Sequence, residues 1–253
     1  MPKFLPLMIS LALNASWLPA QRASRHTVRT DFTVAAERAG AFVEEALRIT
    51  AYARGKDGAR FYHFFQDAED PTRFALLSEW DRPADRAAHL TSPHGRTFLR
   101  ALDSLRAAPE RIRIYRSGED ALDPAEDADP RPIGALPEPA APTIDATRER
   151  LEAAGMLAEP FVLFVDVPVR EGGAAFLRAA AAHIARATRE EPLAIHYGYY
   201  ERAGDPASFL LFEYWQAFEG MARHVELAHF EALMQAFALV GGDGREVGLY
   251  RPL

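Results

Sequence analysis

Apart from Trp17, the chain has two tryptophans, Trp80 and Trp215, and each opens the same short pattern. A histidine follows nine residues later, His89 or His224, and another five residues after that, His94 or His229. An imidazole, with an ordinary pKa of roughly 6.5, exchanges protons near neutral pH. An indole offers a flat apolar face on which a planar molecule can stack. His89 and His224 are therefore candidate bases or hydrogen-bond partners, His94 and His229 candidate substrate contacts, and Trp80 and Trp215 candidate walls. Tyr62 and Tyr197 lie on aromatic stretches upstream. They add hydroxyls to a site or fill the core according to which face of a strand they occupy, and alternation alone leaves that open. Each of these side chains also has an ordinary structural reading: a histidine tying a helix to a sheet, a tryptophan closing one end of a core. No metal is expected. Residues five apart stand about 140° apart round a helix, and no acid completes a set with His89 and His94.

These residues recur because the chain repeats itself. At an offset of 135 residues Asp31 meets Asp166, Tyr62 meets Tyr197, Asp70-Pro71 meets Asp205-Pro206, and Tyr115-Arg116 meets Tyr250-Arg251. The first repeat covers residues 26–116 and the second 158–253. Between them, 117–157 holds a proline-rich acidic linker and a short helix over Asp145 to Met156, with Asp145 as N-cap and Gly155 as C-cap. Hydrophobic periodicity gives each repeat one order of elements. In the first, these are a strand over 26–34, a helix over 36–54, strands over 60–66 and 73–80, a short helix over 83–90, a longer one from Ser92-Pro93 to 105, and a strand over 111–116. The second has strands over 161–169, 194–201, 208–215 and 246–251, and helices over 174–187 and 219–239. This is the β-α-β-β-α-β order of a ferredoxin-like unit. Such a sheet carries helices on one face and leaves the other bare, so two units in one chain can bury each other. The expected fold is α+β, an intrachain dimeric barrel with helices outside and a reaction chamber where the halves clasp.

Composition narrows the function. The 253 residues are 49% hydrophobic and 26% charged, as in ordinary globular chains. A net charge of -7 argues against binding nucleic acid, which requires neutralising phosphates. With no cysteine there are no disulfides, thiolate nucleophiles, iron–sulfur clusters or Cys-based zinc sites. No apolar run is long enough to span a bilayer. Lys3 followed by the apolar Phe4 to Leu13 and the small Ala20 reads as a signal peptide within a 1–25 leader, which makes a periplasmic or secreted location the expectation and a cytoplasmic one the alternative.

The strand ending in Glu79-Trp80, then His89, Leu90-Thr91-Ser92-Pro93-His94 and Phe98, with Gly58 and an Asp-Pro turn upstream, resembles the antibiotic biosynthesis monooxygenase family of the quinol-monooxygenase type. The second repeat matches more loosely. The resemblance implies a fused dimer of a barrel-forming unit. It also implies a cofactor-independent monooxygenase that uses O2 to convert a planar phenolic or anthrone-type, polyketide-like aromatic to a quinone or hydroxylated product. Its partners would then be a small aromatic substrate and O2, with homo-oligomerisation left open. On this reading His89 is the base, Arg100 steadies the phenolate or peroxide, and Trp80 walls the pocket of the first repeat. Gln235 stands where the second repeat would have that arginine. Leu99 or Met234 occupies the place of the haem-ligating histidine in haem-degrading relatives, which argues against haem. The alternatives are ring cleavage with reduced flavin as a diffusible cosubstrate, which needs a larger pocket shared by the repeats, and a non-catalytic barrel holding an apolar ligand.

Overall fold

A strand turns successive side chains to opposite faces, so one alternating strand can serve two cores at once. The computed structural model describes residues 25–117 and 144–253. The leader and most of the linker lie outside them. The first repeat runs β1 (His26–Val34), a short 3-10 turn (Ala36–Arg38), α1 (Ala39–Ala53), β2 (Ala59–Asp67), β3 (Arg73–Trp80), α2 (Pro83–Thr91), α3 (Pro93–Leu105) and β4 (Arg106–Ser117). After α4 (Ile144–Ala153), the second runs β5 (Phe161–Pro168), α5 (Ala174–Thr188), β6 (Ala194–Arg202), β7 (Ser208–Trp215), α6 (Phe218–His224), α7 (Ala228–Val240) and β8 (Glu246–Pro252). Gly155, with φ at 69°, ends the α4 segment as expected of a C-cap, whereas Asp145 falls inside the first turn.

All eight strands are antiparallel and form one closed barrel in the order β1-β3-β2-β8-β5-β7-β6-β4. Each repeat contributes four adjacent strands. They join at two short seams, Phe65 to Asp67 of β2 against Tyr250 to Pro252 of β8, and Tyr115 to Ser117 of β4 against Tyr200 to Arg202 of β6. Closure gives every strand a neighbour on both sides, although the two seams pair only the strand ends. Inside the barrel the rings of Phe65, Phe164 and Phe212 pack with centroids 5.0 to 5.7 Å apart. Ion pairs also cross between the repeats there, with Arg113 held by Asp31 and, at 3.2 Å, by Asp166. Phenylalanine rings and ion pairs thus fill much of the barrel's middle, and the space they border is a charged recess shared by both repeats. The recess is lined by Arg29, Asp31, Arg73, Arg111, Arg113 and Asp166 among others, which is not the apolar wall a planar aromatic needs.

Two element boundaries differ from the periodicity. The single helix expected over 219–239 is two, broken at Leu227, whose backbone is extended with ψ at 147°. The matching break in the first repeat is at Ser92, where the Ser92 hydroxyl accepts from the Gly95 N–H at 3.0 Å and Pro93 opens α3. Leu227-Ala228 has neither signal, so the break follows from packing and not from local chemistry. The last strand of the first repeat starts at Arg106, ahead of the expected 111. Pro109 is tolerated there because β6 pairs only with the far end of β4, which leaves this stretch an edge.

Candidate active site

The strand faces settle where the candidate residues lie. On β3, Phe74, Leu76, Ser78 and Trp80 alternate toward the helices, and on β7 Phe209, Leu211, Glu213 and Trp215 do the same. Tyr62 and Tyr197 share that helix-facing side, as do His89 on α2 and His224 on α6. Each repeat therefore builds its Trp–His–Tyr group between its own sheet and its own helices.

In the first repeat this group is closed on itself. His89 is buried, its ring centroid is 5.0 Å from that of Trp80, and its Nε2 is 3.4 Å from the Tyr62 hydroxyl. Burial, with help from Arg86 and Lys56, lowers the His89 pKa to about 4. Burial also holds the Tyr62 phenol well above its usual range. His94 sits at the start of α3, stacked on Tyr52 at 3.8 Å beside a shallow groove between α1 and α3. Arg100 stands on the exposed side of α3 and donates to the Thr97 hydroxyl at 3.1 Å. The convergence expected of His89, Trp80 and Arg100 thus stops at the first two.

The second repeat opens a cavity at the equivalent place. It lies between β5, β7, β8 and the α6–α7 pair, and its lining is mostly apolar, with Met221, Phe230, Met234 and Phe237 over Leu163 and Leu211. The space open to the centre of a water molecule is about 50 Å³, room for a few waters. Four polar side chains enter this wall, the ionisable Glu213, His224 and Arg245 and the hydroxyl of Thr147. Glu213 occupies the position of Ser78 in the first repeat. Its carboxylate accepts from the Trp215 indole N–H at 2.9 Å, whereas the Trp80 indole N–H has no partner. Burial raises the Glu213 pKa to about 7, the indole hydrogen bond pulls it back and the charge of Glu191 adds to the rise. That is where a proton acceptor working at neutral pH is most effective.

His224 is fixed from behind. Its Nδ1 is 2.7 Å from Glu191 Oε1, and its Nε2 is buried with no partner on a ring that lines the cavity. Burial lowers its pKa, opposed by Glu191. His229, near the start of α7, meets the same Glu191 oxygen through Nε2 at 2.7 Å. Trp215 and Tyr197 lie beside His224, with ring centroids 5.2 and 5.4 Å away. Glu213, Glu191 and Arg245 were not among the residues singled out in the sequence. Two of them were legible as departures from the repeat, since Glu213 replaces Ser78 and Glu191 replaces Lys56.

No curated protein matches the chain. Two solved structures share its fold across nearly their whole length. A candidate monooxygenase from Lactobacillus acidophilus NCFM superposes with a TM-score of 0.71 at 9% identity, covering 90% of this chain and 94% of its own. Another from Fusobacterium nucleatum subsp. nucleatum superposes with a TM-score of 0.69 at 10% identity, covering 91% and 93%. The sequence model of antibiotic biosynthesis monooxygenases matches twice, over residues 25–101 and 160–236, once in each repeat. With more than half its length matched and both matches folded into one barrel, the chain belongs to the antibiotic biosynthesis monooxygenase family, as a tandem of two units with a monooxygenase-type function.

Proposed function

We propose that the chain oxygenates a planar, acidic aromatic such as a phenol, quinol or anthrone with O2, and that the reaction runs in the cavity of the second repeat. The observation that carries this reading is Glu213, a buried carboxyl with a pKa near neutrality in an otherwise apolar cavity. The Glu213 carboxylate takes a proton from the substrate. The resulting carbanion or phenolate gives an electron to O2, the radical pair joins as a hydroperoxide, and loss of water leaves the carbonyl of a quinone. One oxygen atom enters the product and the other leaves as water, so the substrate supplies the electrons and no flavin is consumed. His224 Nε2 hydrogen-bonds the substrate oxygen, and Arg245 supplies the positive charge that the sequence reading gave to Arg100. The dry apolar wall strengthens these interactions and keeps water from the carbanion. A planar ring needs more than the present room, so entry requires α7 to move away from the sheet.

Oxygen uptake with a model anthrone tests the assignment. Glu213→Gln keeps an acceptor for the Trp215 N–H and removes the base, and a rate loss of about 100-fold or more is expected. His89→Ala is expected to leave the rate within about three-fold, in line with ordinary context effects at a distant site. Full activity in Glu213→Gln, or its loss in His89→Ala, would return the chemistry to the first repeat.

A further inference from the structure

The two repeats keep the same backbone round their histidine pairs and differ in what lies between them. In the first, the Ala59 N–H donates to Lys56 O at 3.2 Å and the Ser92 N–H to His89 O at 3.2 Å. In the second, the Ala194 N–H donates to Glu191 O at 3.2 Å and the Leu227 N–H to His224 O at 3.1 Å. Lys56 and Glu191 are therefore the same position with opposite charge. A turn earlier, the helix caps match as well: the Arg54 N–H bonds the carbonyls of Thr50 and Tyr52, and the Arg189 N–H those of Ala185 and Ala187. Tyr52 in the first repeat thus corresponds to Ala187 in the second. The Tyr52 ring stacks on His94 and carries the Lys56 ammonium 4.1 Å from its centroid. The first repeat therefore fills the space beside its histidines with a ring and a cation. The second has Ala187 in place of that ring and turns a carboxylate toward both imidazoles.

The geometry points to a site for one divalent first-row transition metal ion, such as Zn2+ or Fe2+, held by Glu191, His224 and His229. Their donor atoms, one from each residue, all lie within 4.8 Å of one another. Both imidazole contacts to Glu191 are 2.7 Å. An ion bound at about 2.0–2.1 Å from each donor needs the three to spread slightly round it. Two neutral imidazoles and a carboxylate suit this class of ion, and three protein ligands leave coordination positions open. His224 joins the metal site to the cavity. With Nδ1 on the ion, the imidazole proton sits on Nε2, the nitrogen that is buried and unpaired, and His224 becomes a fixed donor toward an oxyanion in the cavity. That last consequence rests on the oxygenase reading, whereas the site itself does not.

Calorimetric titration of Zn2+ into full-length, tag-free, chelator-stripped protein tests it. One equivalent is expected to bind saturably, with visible d–d absorption when Co2+ replaces Zn2+. Glu191→Gln and His229→Ala are each expected to weaken binding by on the order of 100-fold or more, since loss of even an outer-shell partner of a ligand costs roughly 10–100-fold. His94→Ala, in the first repeat, is expected to leave it unchanged. Thermal unfolding without metal shows whether each variant is folded, and if Glu191→Gln is not, the half-buried His229→Ala carries the test. No saturable binding by the wild type, or binding that survives in a folded His229→Ala, overturns the proposal. Neither result bears on the Glu213 assignment, because calorimetry does not read oxygenation.

Discussion

Burying an ionisable carboxyl ties the stability of a protein to pH. Glu213 has its pKa raised from 4.5 to about 7 by burial. Below roughly 4.5 it is protonated in both folded and unfolded chains. Between that value and about 7 the unfolded chain releases the proton while the folded one keeps it, so folding stability contributed at this position falls as pH rises. Above about 7 the loss is complete, at about 3 kcal/mol. Glu213→Gln, which cannot ionise, is expected to gain stability over the metal-free wild type by roughly that amount between pH 4.5 and 8. Urea denaturation at both pH values measures it, and an unchanged difference between the two proteins would count against a buried, titrating Glu213. Buried His89 and half-buried His63 act in the opposite direction. His63 and His89 have folded pKa values lowered to about 4, so both proteins are expected to lose stability as pH falls from 6.5 toward 4. At this scale the sequence marked the Trp, His and Tyr positions, because rare residues at a fixed offset stand out. It showed Glu213 and Glu191 only as departures from the repeat and gave them no role, because an acid on a strand or in a turn looks the same whether it faces water or a cavity.

The α2–α3 corner shows how a helix pair is brought onto the sheet. Ser92 caps α3, Pro93 opens it, and Gly95 sits so close to the end of α2 that an added Cβ would lie 2.3 Å from the carbonyl oxygen of His89. That oxygen is backbone, so it can yield only if α2 and α3 separate. Gly95→Ala is expected to cost about 1–3 kcal/mol, as overpacking does. Thermal denaturation reads the loss, and an unchanged melting temperature would show that the corner has slack. The Ser-Pro signal at this corner was legible because capping is local chemistry. The matching corner at Leu227 was not, since nothing in Leu227-Ala228 demands an extended residue and only packing against the sheet imposes one.

The whole molecule holds together by strand pairing at its two seams and by ion pairs across its interior. Arg113 on β4 lies between Asp31 of its own repeat and Asp166 of the other, and their charges hold its guanidinium far above its ordinary range against the pull of burial. Replacing it leaves two carboxylates facing each other with Arg29 as a remaining partner, at 2.8 Å from Asp31 and 3.6 Å from Asp166. Arg113→Met is expected to destabilise by about 2 kcal/mol, less than the roughly 3–5 for a fully buried pair because both aspartates keep contact with water. Chemical denaturation measures the loss. A change under about 0.5 kcal/mol, the range of ordinary surface substitutions, would mean that Arg29 alone neutralises the pair.

Taken by itself, the sequence determined the doubling, the β-α-β-β-α-β order and the pairing of two bare sheet faces, because periodicity and self-similarity are carried by residue type along the chain. Tertiary structure alone decided which face of each strand meets the helices, and so placed Tyr62, Tyr197, Trp80 and Trp215 outside the barrel interior. It also decided that an apolar cavity opens in the second repeat beside the buried Glu213, and that Glu191 meets two histidines. A strand's alternation is symmetric between its two faces, and a carboxyl acquires a shifted pKa only from what packs round it, so neither could be read before the chain closed on itself.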